Sequence, residues 1–575
     1  MPVVASEGRQ ALSHQSHQSH QSHLEVRRGE YHDSVTLMLA ARAVAGVAGV
    51  ERVLVAMGTE LNIELLTALG YPPPRPTAGP ADLMIAFTCP DEATEATALT
   101  TLTASLTPGG PITASGHQPP DRPLPRTTGS ALGRTSAPLT LISTPGLASV
   151  PEAMESLQHG ASVVIFSDNI PIHHEIRLKE EARRRSLLVM GPDCGTVVLQ
   201  GIGLGFANAT RPGPISLVAA SGTGAQQLMS LLDAAGTGIR HCLGVGGRDL
   251  TEPVAGRSTH AALDILAEDE ETTLIVLISK PPHPAVARSI EEHASRLPKP
   301  VILAFIGPDQ PTLTTTTERI LATLHHTPTP TWPHWAPSAD DDARAVSDGS
   351  GQAARESDPG RAAAPDADPG RPPRTADSDR TGPGQAAQEA DPSRTIRGLF
   401  SGGTLCAEAE VVLTRVLAEQ LGGWGEGESR KLKKTTPQAP PEPHAPFTPH
   451  LTDFGDDTYT RGRPHPMIDN TLRLRAIAEA AADPRVGVLL LDVVLGRGAH
   501  PDPAGELVPA VVAARAERRL PVVVSLCGTA GDPQGLERQA RAFADAGAWV
   551  YLSNAEAATA AARLVPRRPS GGGDE

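Results

Sequence analysis

Seven short apolar runs alternate with helical patterns between Leu139 and Phe305, and that alternation restricts the fold more than any other feature of the sequence. The runs are Leu139–Ser143, Ser162–Ser167, Ser186–Met190, Ile215–Ala219, Arg240–Val245, Leu274–Ser279 and Pro300–Phe305, with helical spacing over Pro171–Arg185 and Gly224–Ala235. Strands that are apolar throughout must be covered on both faces. Helices lying between them in sequence supply that cover, so the sheets are expected to be parallel. The rhythm returns later. Val486–Asp492, Pro521–Leu526 and Trp549–Leu552 read as buried strands, with helices over Thr471–Ala482, Ala504–Arg518, Gly535–Ala546 and Ala555–Leu564. The expected fold class is α/β: several doubly wound parallel-sheet domains, with ligands at the carboxyl ends of strands.

A chain of 575 residues is too long for one core, and about three or four domains are expected. Residues 1–25 contain a Ser-His-Gln repeat that places His14, His17, His20 and His23 at a period of three. It reads as a disordered low-complexity tail in preference to a metal-binding tract. Residues 26–130 form a small α/β domain with strands at Glu51–Met57 and Asp82–Phe87, ending in a linker-like stretch over Pro108–Arg134. Two doubly wound domains follow at 137–210 and 211–326. Residues 327–393 are rich in Pro, Gly, Asp and Arg, have almost no large apolar side chains, and are expected to be disordered. A third doubly wound unit spans 394–566, interrupted by a linker at 426–449, and 567–575 is a tail.

The formal charge of −15 argues against nucleic acid or an anionic membrane as the main partner. No stretch offers about 18 uninterrupted apolar residues, and the N-terminus carries no signal-peptide pattern. Cys89, Cys194, Cys242, Cys406 and Cys527 are scattered without a CxxC pair. That usage fits reduced thiols in the cytoplasm, with no metal site expected.

Two segments carry most of the chemistry. Leu217-Val-Ala-Ala-Ser-Gly-Thr-Gly224 and Leu399-Phe-Ser-Gly-Gly-Thr-Leu-Cys406 each pass from apolar residues through a Ser/Gly/Thr turn into a helical run. Such a turn presents free N–H groups at a helix N-terminus, where the dipole favours an anion. Ser221, Gly222, Thr223 and Gly224, with Ser401, Gly402, Gly403 and Thr404, are therefore the expected phosphate or substrate ligands. Met190-Gly-Pro-Asp-Cys-Gly-Thr196 bends sharply after a strand, and Gly191, Pro192, Asp193, Cys194 and Gly195 suit either part of a nucleotide-like cofactor or an ordinary turn. Arg248, in Gly244-Val-Gly-Gly-Arg-Asp249, reads as a clamp for a carboxylate or phosphate, or as half of a surface ion pair. Arg463-Pro-His-Pro-Met-Ile-Asp469 sets His465 and Asp469 in a proline-bracketed loop, and His500 follows a buried strand. These three are the candidates for acid/base or nucleophilic work. Cys527, Cys194 and Cys406 read as buried thiols before nucleophiles.

Together these residues resemble the FdrA family, relatives of the succinyl-CoA synthetases. The resemblance covers about residues 26–325 and 394–565. It rests on Tyr31-His-Asp-Ser-Val-Thr-Leu-Met38, Met57-Gly-Thr59, Arg397–Cys406, His465-Pro-Met-Ile-Asp469, Asp492-Val-Val-Leu-Gly496, Gly498-Ala-His-Pro-Asp-Pro503 and Cys527-Gly-Thr529. Residues 137–325 are similar to the synthetase α subunit, whose Gly-Pro-Asn-Cys stretch near the CoA site matches Gly191–Cys194. Its Ser-Gly-Thr turn matches Ser221–Thr223. Residues 450–565 look like the carboxyl-terminal domain of the β subunit, so the resemblance implies a Rossmann-like CoA-binding-type domain followed by two flavodoxin-like synthetase-type domains. Phe305-Ile-Gly-Pro-Asp309 leads into Thr- and Pro-rich sequence where the synthetase has its phosphohistidine motif. There is also no segment for an ATP-grasp domain.

The resemblance implies an enzyme subunit of carbamoyl or acyl transfer with phosphate. FdrA-type proteins are associated with oxamate carbamoyltransferase in purine and allantoin catabolism, which converts oxalurate and phosphate into oxamate and carbamoyl phosphate. It implies partner subunits in a hetero-oligomer, phosphate as a substrate, no required cofactor, and CoA as an admissible ligand. The alternatives are a CoA-dependent acyl ligase and a non-catalytic metabolite-binding subunit.

Overall fold

The run Leu83-Met-Ile-Ala-Phe-Thr-Cys89 carries a single polar side chain and is buried along its whole length, which is possible only for a middle strand covered on both faces. The computed structural model describes residues 21–32, 34–106, 125–325, 330–337, 395–420, 449–460 and 463–565. They fall into two units, Met1–Leu124 with Thr460–Pro464 and Pro125–Tyr459 with His465–Glu575.

In the first unit, β1 (Gln21–Arg27), β2 (Glu51–Met57) and β3 (Leu83–Cys89) form an antiparallel sheet in the order β1-β3-β2. Alternate residues of β3 enter two cores. Leu83, Ile85 and Phe87 pack with Leu37 and Val44 of helix Ser34–Ala45 and Leu102 of helix Glu92–Leu106. Met84 and Ala86 pack with Leu54, Leu66 and Tyr71. This unit is therefore not doubly wound. The sheet also claims part of the expected tail: β1 begins at Gln21, where Leu24 and Val26 alternate onto the core. His23 stacks on Phe87 at 4.9 Å and bonds Glu95 at 2.7 Å. His14, His17 and His20 lie outside the described residues.

The second unit holds three sheets. β4 (Leu139–Ile142), β5 (Ser162–Ile165) and β6 (Val189–Met190) are parallel. A six-stranded sheet runs β12-β11-β9-β10-β7-β8, from β7 (Thr196–Leu199), β8 (Ile202–Gly205), β9 (Ile215–Ala220), β10 (Ile239–Gly244), β11 (Leu274–Ser279) and β12 (Val301–Phe305). β9 to β12 are parallel, and the β7–β8 hairpin joins them antiparallel. The expected division near residue 210 therefore falls after a hairpin that belongs to the later sheet. Helix Thr128–Thr135, closed by a Thr127–Ser130 capping box, occupies sequence expected to be linker.

The last sheet runs β13-β18-β17-β16-β14-β15, from β13 (His334–Trp335), β14 (Thr395–Phe400), β15 (His450–Asp453), β16 (Val486–Val494), β17 (Val522–Cys527) and β18 (Trp549–Tyr551). β13 lies within the tract expected to be disordered, yet it pairs antiparallel with β18. Residues 338–394, 421–448 and 566–575 lie outside the described residues. Helix Gly222–Ala234 is buried on every side from Gly224 to Asp233. It is sandwiched because its polar side chains reach the second six-stranded sheet: Gln227 donates to Leu552 O at 2.8 Å and Ser230 meets Cys527 Sγ at 3.4 Å. Asn208 and Asp532 add a buried clamp of 2.8 Å between the same layers.

A buried ionic cluster ties helix Ile172–Arg184 to the loop after β10. Lys179 Nζ lies 2.8 Å from Glu175 and 2.7 Å from Asp249, with all three side chains at 1% exposure or less. Removing the cation leaves Glu175 only its Arg248 ion pair and Asp249 only the Ser258 and Thr259 donors, and breaking a buried ion pair costs about 3–5 kcal/mol. Lys179→Met is expected to lower the unfolding midpoint of this unit sharply in a urea titration, whereas the exposed-pair variant Arg475→Met is expected to leave it nearly unchanged.

Candidate functional site

Both Ser/Gly/Thr turns leave the carboxyl end of a parallel strand, β9 into Ser221 and β14 into Ser401, and the fold sets them face to face. Ser221 takes extended backbone angles and caps its helix, its Oγ accepting from Gly224 N at 3.0 Å. The same Oγ meets Thr404 Oγ1 at 2.5 Å. The approach excludes side chains. A Cβ on Gly402 would lie 2.7 Å from Thr223 Oγ1, and one on Gly224 would lie 3.0 Å from Thr404 Cγ2. Glycine is required at 402 for that reason.

The two cradles are not equally open. Asp492, at the carboxyl end of β16, accepts from Ser401 N at 2.7 Å, Ser401 Oγ at 2.9 Å and Gly402 N at 2.8 Å. Ser401 and Gly402, expected to hold the substrate anion, therefore spend their donors on an internal carboxylate. Burial pushes the Asp492 carboxyl up, while Arg473 and these three donors pull it back. Arg473 itself is buried and donates to the Asp492 carbonyl. The amides of Gly222, Thr223, Gly403 and Thr404 lie in first helical turns, which have no intrahelical acceptor.

His465 enters this neighbourhood and His500 does not join it through its ring. His465 Nδ1 accepts from Met467 N at 3.2 Å, so the neutral ring carries its proton on Nε2, near Gly455. Burial, with Arg473 adding to it, holds this imidazole down to about 4. It is placed to donate from Nε2 and poorly placed to collect a proton there. His500 Nδ1 accepts from Asp502 N at 3.1 Å, and its Nε2 lies 3.1 Å from Glu506. Asp469 accepts from Thr471 N at 2.7 Å at the start of a helix. The three residues form no acid/base pair with one another.

The other expected ligands form a second, adjoining loop pair. Gly191 has φ +100°, and a Cβ there would meet Ile165 O at 2.4 Å; one on Gly246 would meet Pro192 O at 2.4 Å. Cys194 Sγ donates to Gly244 O at 3.2 Å and burial pushes its thiol up, as in a packed structural thiol. Arg248 is half of an ion pair, 2.9 Å from Glu175, and donates to Ile170 O at 2.8 Å. The pair reaches the first of the two turns through Thr196, whose Oγ1 lies 3.2 Å from a Cβ position on Gly222. Sequence reading missed Lys280 and Asp453, which flank Gly403. Their only signal is position: each sits at the carboxyl end of its strand, Lys280 just after β11 and Asp453 as the last residue of β15.

A CoA-ligase family model matches residues 399–564, the segment that holds the second turn. YahF of Escherichia coli strain K12, described only as uncharacterized, is 32% identical over 532 residues, covering 91% of this chain and 94% of its own length. The chain belongs to the FdrA family. This FdrA chain is also 31% identical over 166 residues to the α subunit of an ADP-forming succinate–CoA ligase from Methanothermobacter thermautotrophicus, spanning 54% of that subunit. It is thus a member of the acyl-CoA synthetase and succinyl-CoA ligase relatives. A dinucleotide-forming acetyl-coenzyme A synthetase from Ca. Korarchaeum cryptofilum, solved with phosphate and ADP, aligns over 74% of this chain and 82% of its own at 17% identity and a TM-score of 0.26, too low to bear on the site.

A further family model, described as AllF, heavy metal-associated domain, matches residues 20–119 of the FdrA chain. The cysteine there, Cys89, is sealed in the β3 core at 0% exposure, and among the described residues no three His, Cys, Asp or Glu side chains are grouped to hold an ion. Among the described residues no helix is long and apolar enough to cross a membrane.

The buried His465 predicts a specific acid response. Its folded value lies below the ordinary 6.5, so its contribution is full above pH 6.5 and is lost as pH falls toward 4, amounting to about 3 kcal/mol. Asp453, raised to about 6, acts oppositely: its contribution is present below 3.8 and lost as pH rises through 6. Replacing His465 by Asn, which can still accept from Met467 N, is expected to make the thermal midpoint rise between pH 6.5 and 4.5 relative to the parent. Parallel pH profiles for parent and variant would contradict this.

Proposed function

We propose that this FdrA protein is an enzyme subunit that transfers a carbamoyl or related acyl group to or from phosphate, acting with partner subunits. The observation that carries this reading is the meeting of two helix N-termini at the Ser221–Thr404 contact. Two helix N-termini, with their dipole ends and first-turn amides, come together at this contact, an arrangement suited to a dianion and to the oxyanion of an acyl intermediate. The family resemblance gives the reaction its form: phosphate attacks the carbamoyl carbon of oxalurate, releasing oxamate and carbamoyl phosphate. All four species are anionic or phosphorylated, and none requires a nucleotide.

The interlocked loops at Gly191–Gly195 and Gly244–Gly247 favour a second reading, CoA-dependent acyl-ligase chemistry completed by a nucleotide-binding partner. CoA is the ligand that these loops would hold. The CoA-ligase match over 399–564 is compatible with both readings.

The deciding experiment is a mass-spectrometric turnover assay on the full chain with the subunits encoded beside it. Oxalurate plus phosphate is compared with succinate plus CoA and ATP. Carbamoyl phosphate and oxamate are expected, and a CoA thioester alone would replace the first reading with the second. Gly402→Ala, which drives a methyl group into Thr223, is expected to reduce phosphorolysis by about 10²-fold or more, the scale of losing one positioned donor set.

A further inference from the structure

Gly403 is pinched between opposite charges. A Cβ there would lie 2.4 Å from Asp453 Oδ2 and 2.6 Å from Lys280 Nζ. The two groups come from different sheets of the second unit, Lys280 following β11 and Asp453 closing β15. Both meet the helix start that carries the first-turn amides of Gly403 and Thr404. Asp453 Oδ1 is held by Gly455 N at 2.9 Å, which leaves Oδ2 as the oxygen turned to Gly403. Lys280 is an exposed residue whose ammonium, among the described residues, has no hydrogen-bond acceptor and no carboxylate within 4.0 Å.

We propose that Lys280 and Asp453 act directly on the reacting group: Lys280 binds phosphate oxygens, and Asp453 carries the proton that the transfer must move. This rests on the phosphate-transfer reading of the cleft. In that reaction a hydroxyl oxygen of phosphate forms a bond to the carbamoyl carbon, and the bond from that carbon to the bridging nitrogen breaks. The electron pair of the broken bond stays on the nitrogen. The phosphate hydroxyl loses one proton and the departing nitrogen gains one, so the sum is proton-neutral and needs no further reactant. A carboxyl that donates to the nitrogen and is reloaded from the phosphate oxygen completes the cycle.

The surroundings suit a carboxyl that changes form near neutrality. Burial pushes Asp453 up to about 6 against the pull of Lys280 and Gly455 N, with Asp492 and Asp456 also raising it. Its charge is likewise felt by Cys406 and Tyr459, and His465 Nε2 approaches from the Gly455 side. His465 is held neutral in this range and adds no competing charge. Lys280 is the nearby cation that meets the cleft, since Arg473 is committed behind Asp492.

The test uses the full chain with its neighbouring subunits for turnover, and the full chain alone for binding of inorganic phosphate by calorimetry. Lys280→Gln is expected to weaken phosphate binding and raise its KM by about 10-fold or more, with Lys280→Arg recovering most of the loss. Asp453→Asn retains an acceptor for Gly455 N, so it is expected to fold and to bind phosphate at least as tightly. Its kcat is expected to fall by about 10²–10⁴-fold, the usual worth of a positioned acid or base, and the pH limb near 6 is expected to vanish. Asp453→Glu, which restores a carboxyl, is expected to restore that limb. Parent-like kcat and pH profile in Asp453→Asn, or unchanged phosphate binding in Lys280→Gln, would overturn the proposal. If the parent complex makes no carbamoyl phosphate, the broader reading fails, while the calorimetry still decides whether Lys280 anchors an anion.

Discussion

A helix start exposes amides that need acceptors, and two starts set face to face must supply them without a side chain between. That constraint organises the larger unit. Gly402 has to be glycine because Thr223 occupies the space of its Cβ, and Ser221 and Thr404 close the remaining gap with one short hydrogen bond. Asp492 then decides how much donor capacity faces the cleft, by consuming the amides of Ser401 and Gly402. An all-apolar helix would not hold this register. Helix Gly222–Ala234 instead carries Gln226, Gln227 and Ser230 into the facing sheet, where they bond carbonyls and a thiol.

Such buried polar contacts specify one arrangement more than they add stability. A hydrogen bond exchanged for one with water contributes little net energy, but a misaligned layer would leave the same groups unpaired at several times that cost. The Asn208–Asp532–Thr529 clamp works in the same way, since its bonds to the backbone at Ala209 form in only one register of the layers. The layers are therefore held to one register where the helix starts meet. The groups with freedom to respond to a ligand are at its rim, Lys280 above all.

Much of this was legible in the sequence for physical reasons. Runs such as Leu274–Ser279 can only be buried strands, and Ser-Gly-Thr after such a run can only be a turn at a strand's carboxyl end. Their meeting was not legible, because nothing local encodes which strand ends share a sheet edge. The polar groups that surround them were hidden for a different reason. Asp453, Asp492 and Lys280 are single charges at strand ends, where charges are common, and only proximity separates the capping carboxylate from the one turned to the cleft. His500 stands just past a strand as expected, and the surroundings of its ring, bonded by the Asp502 amide and facing Glu506, were not legible. β1 and β13 were missed because a short edge strand needs few apolar residues, and repetitive or proline-rich sequence around them masks even those.

The two-residue strand His334–Trp335 has a consequence for how such a chain came to be single. It lies near the start of the long Pro/Gly/Asp tract, yet it completes the sheet built otherwise from residues that follow that tract. The α subunits named among its relatives match about a third of the chain or less, and a break in the tract is one place to divide the gene. Division there would send the last strand of the second half's sheet away on the first half's product. A pair of separately encoded chains would have to reassemble that sheet edge between them.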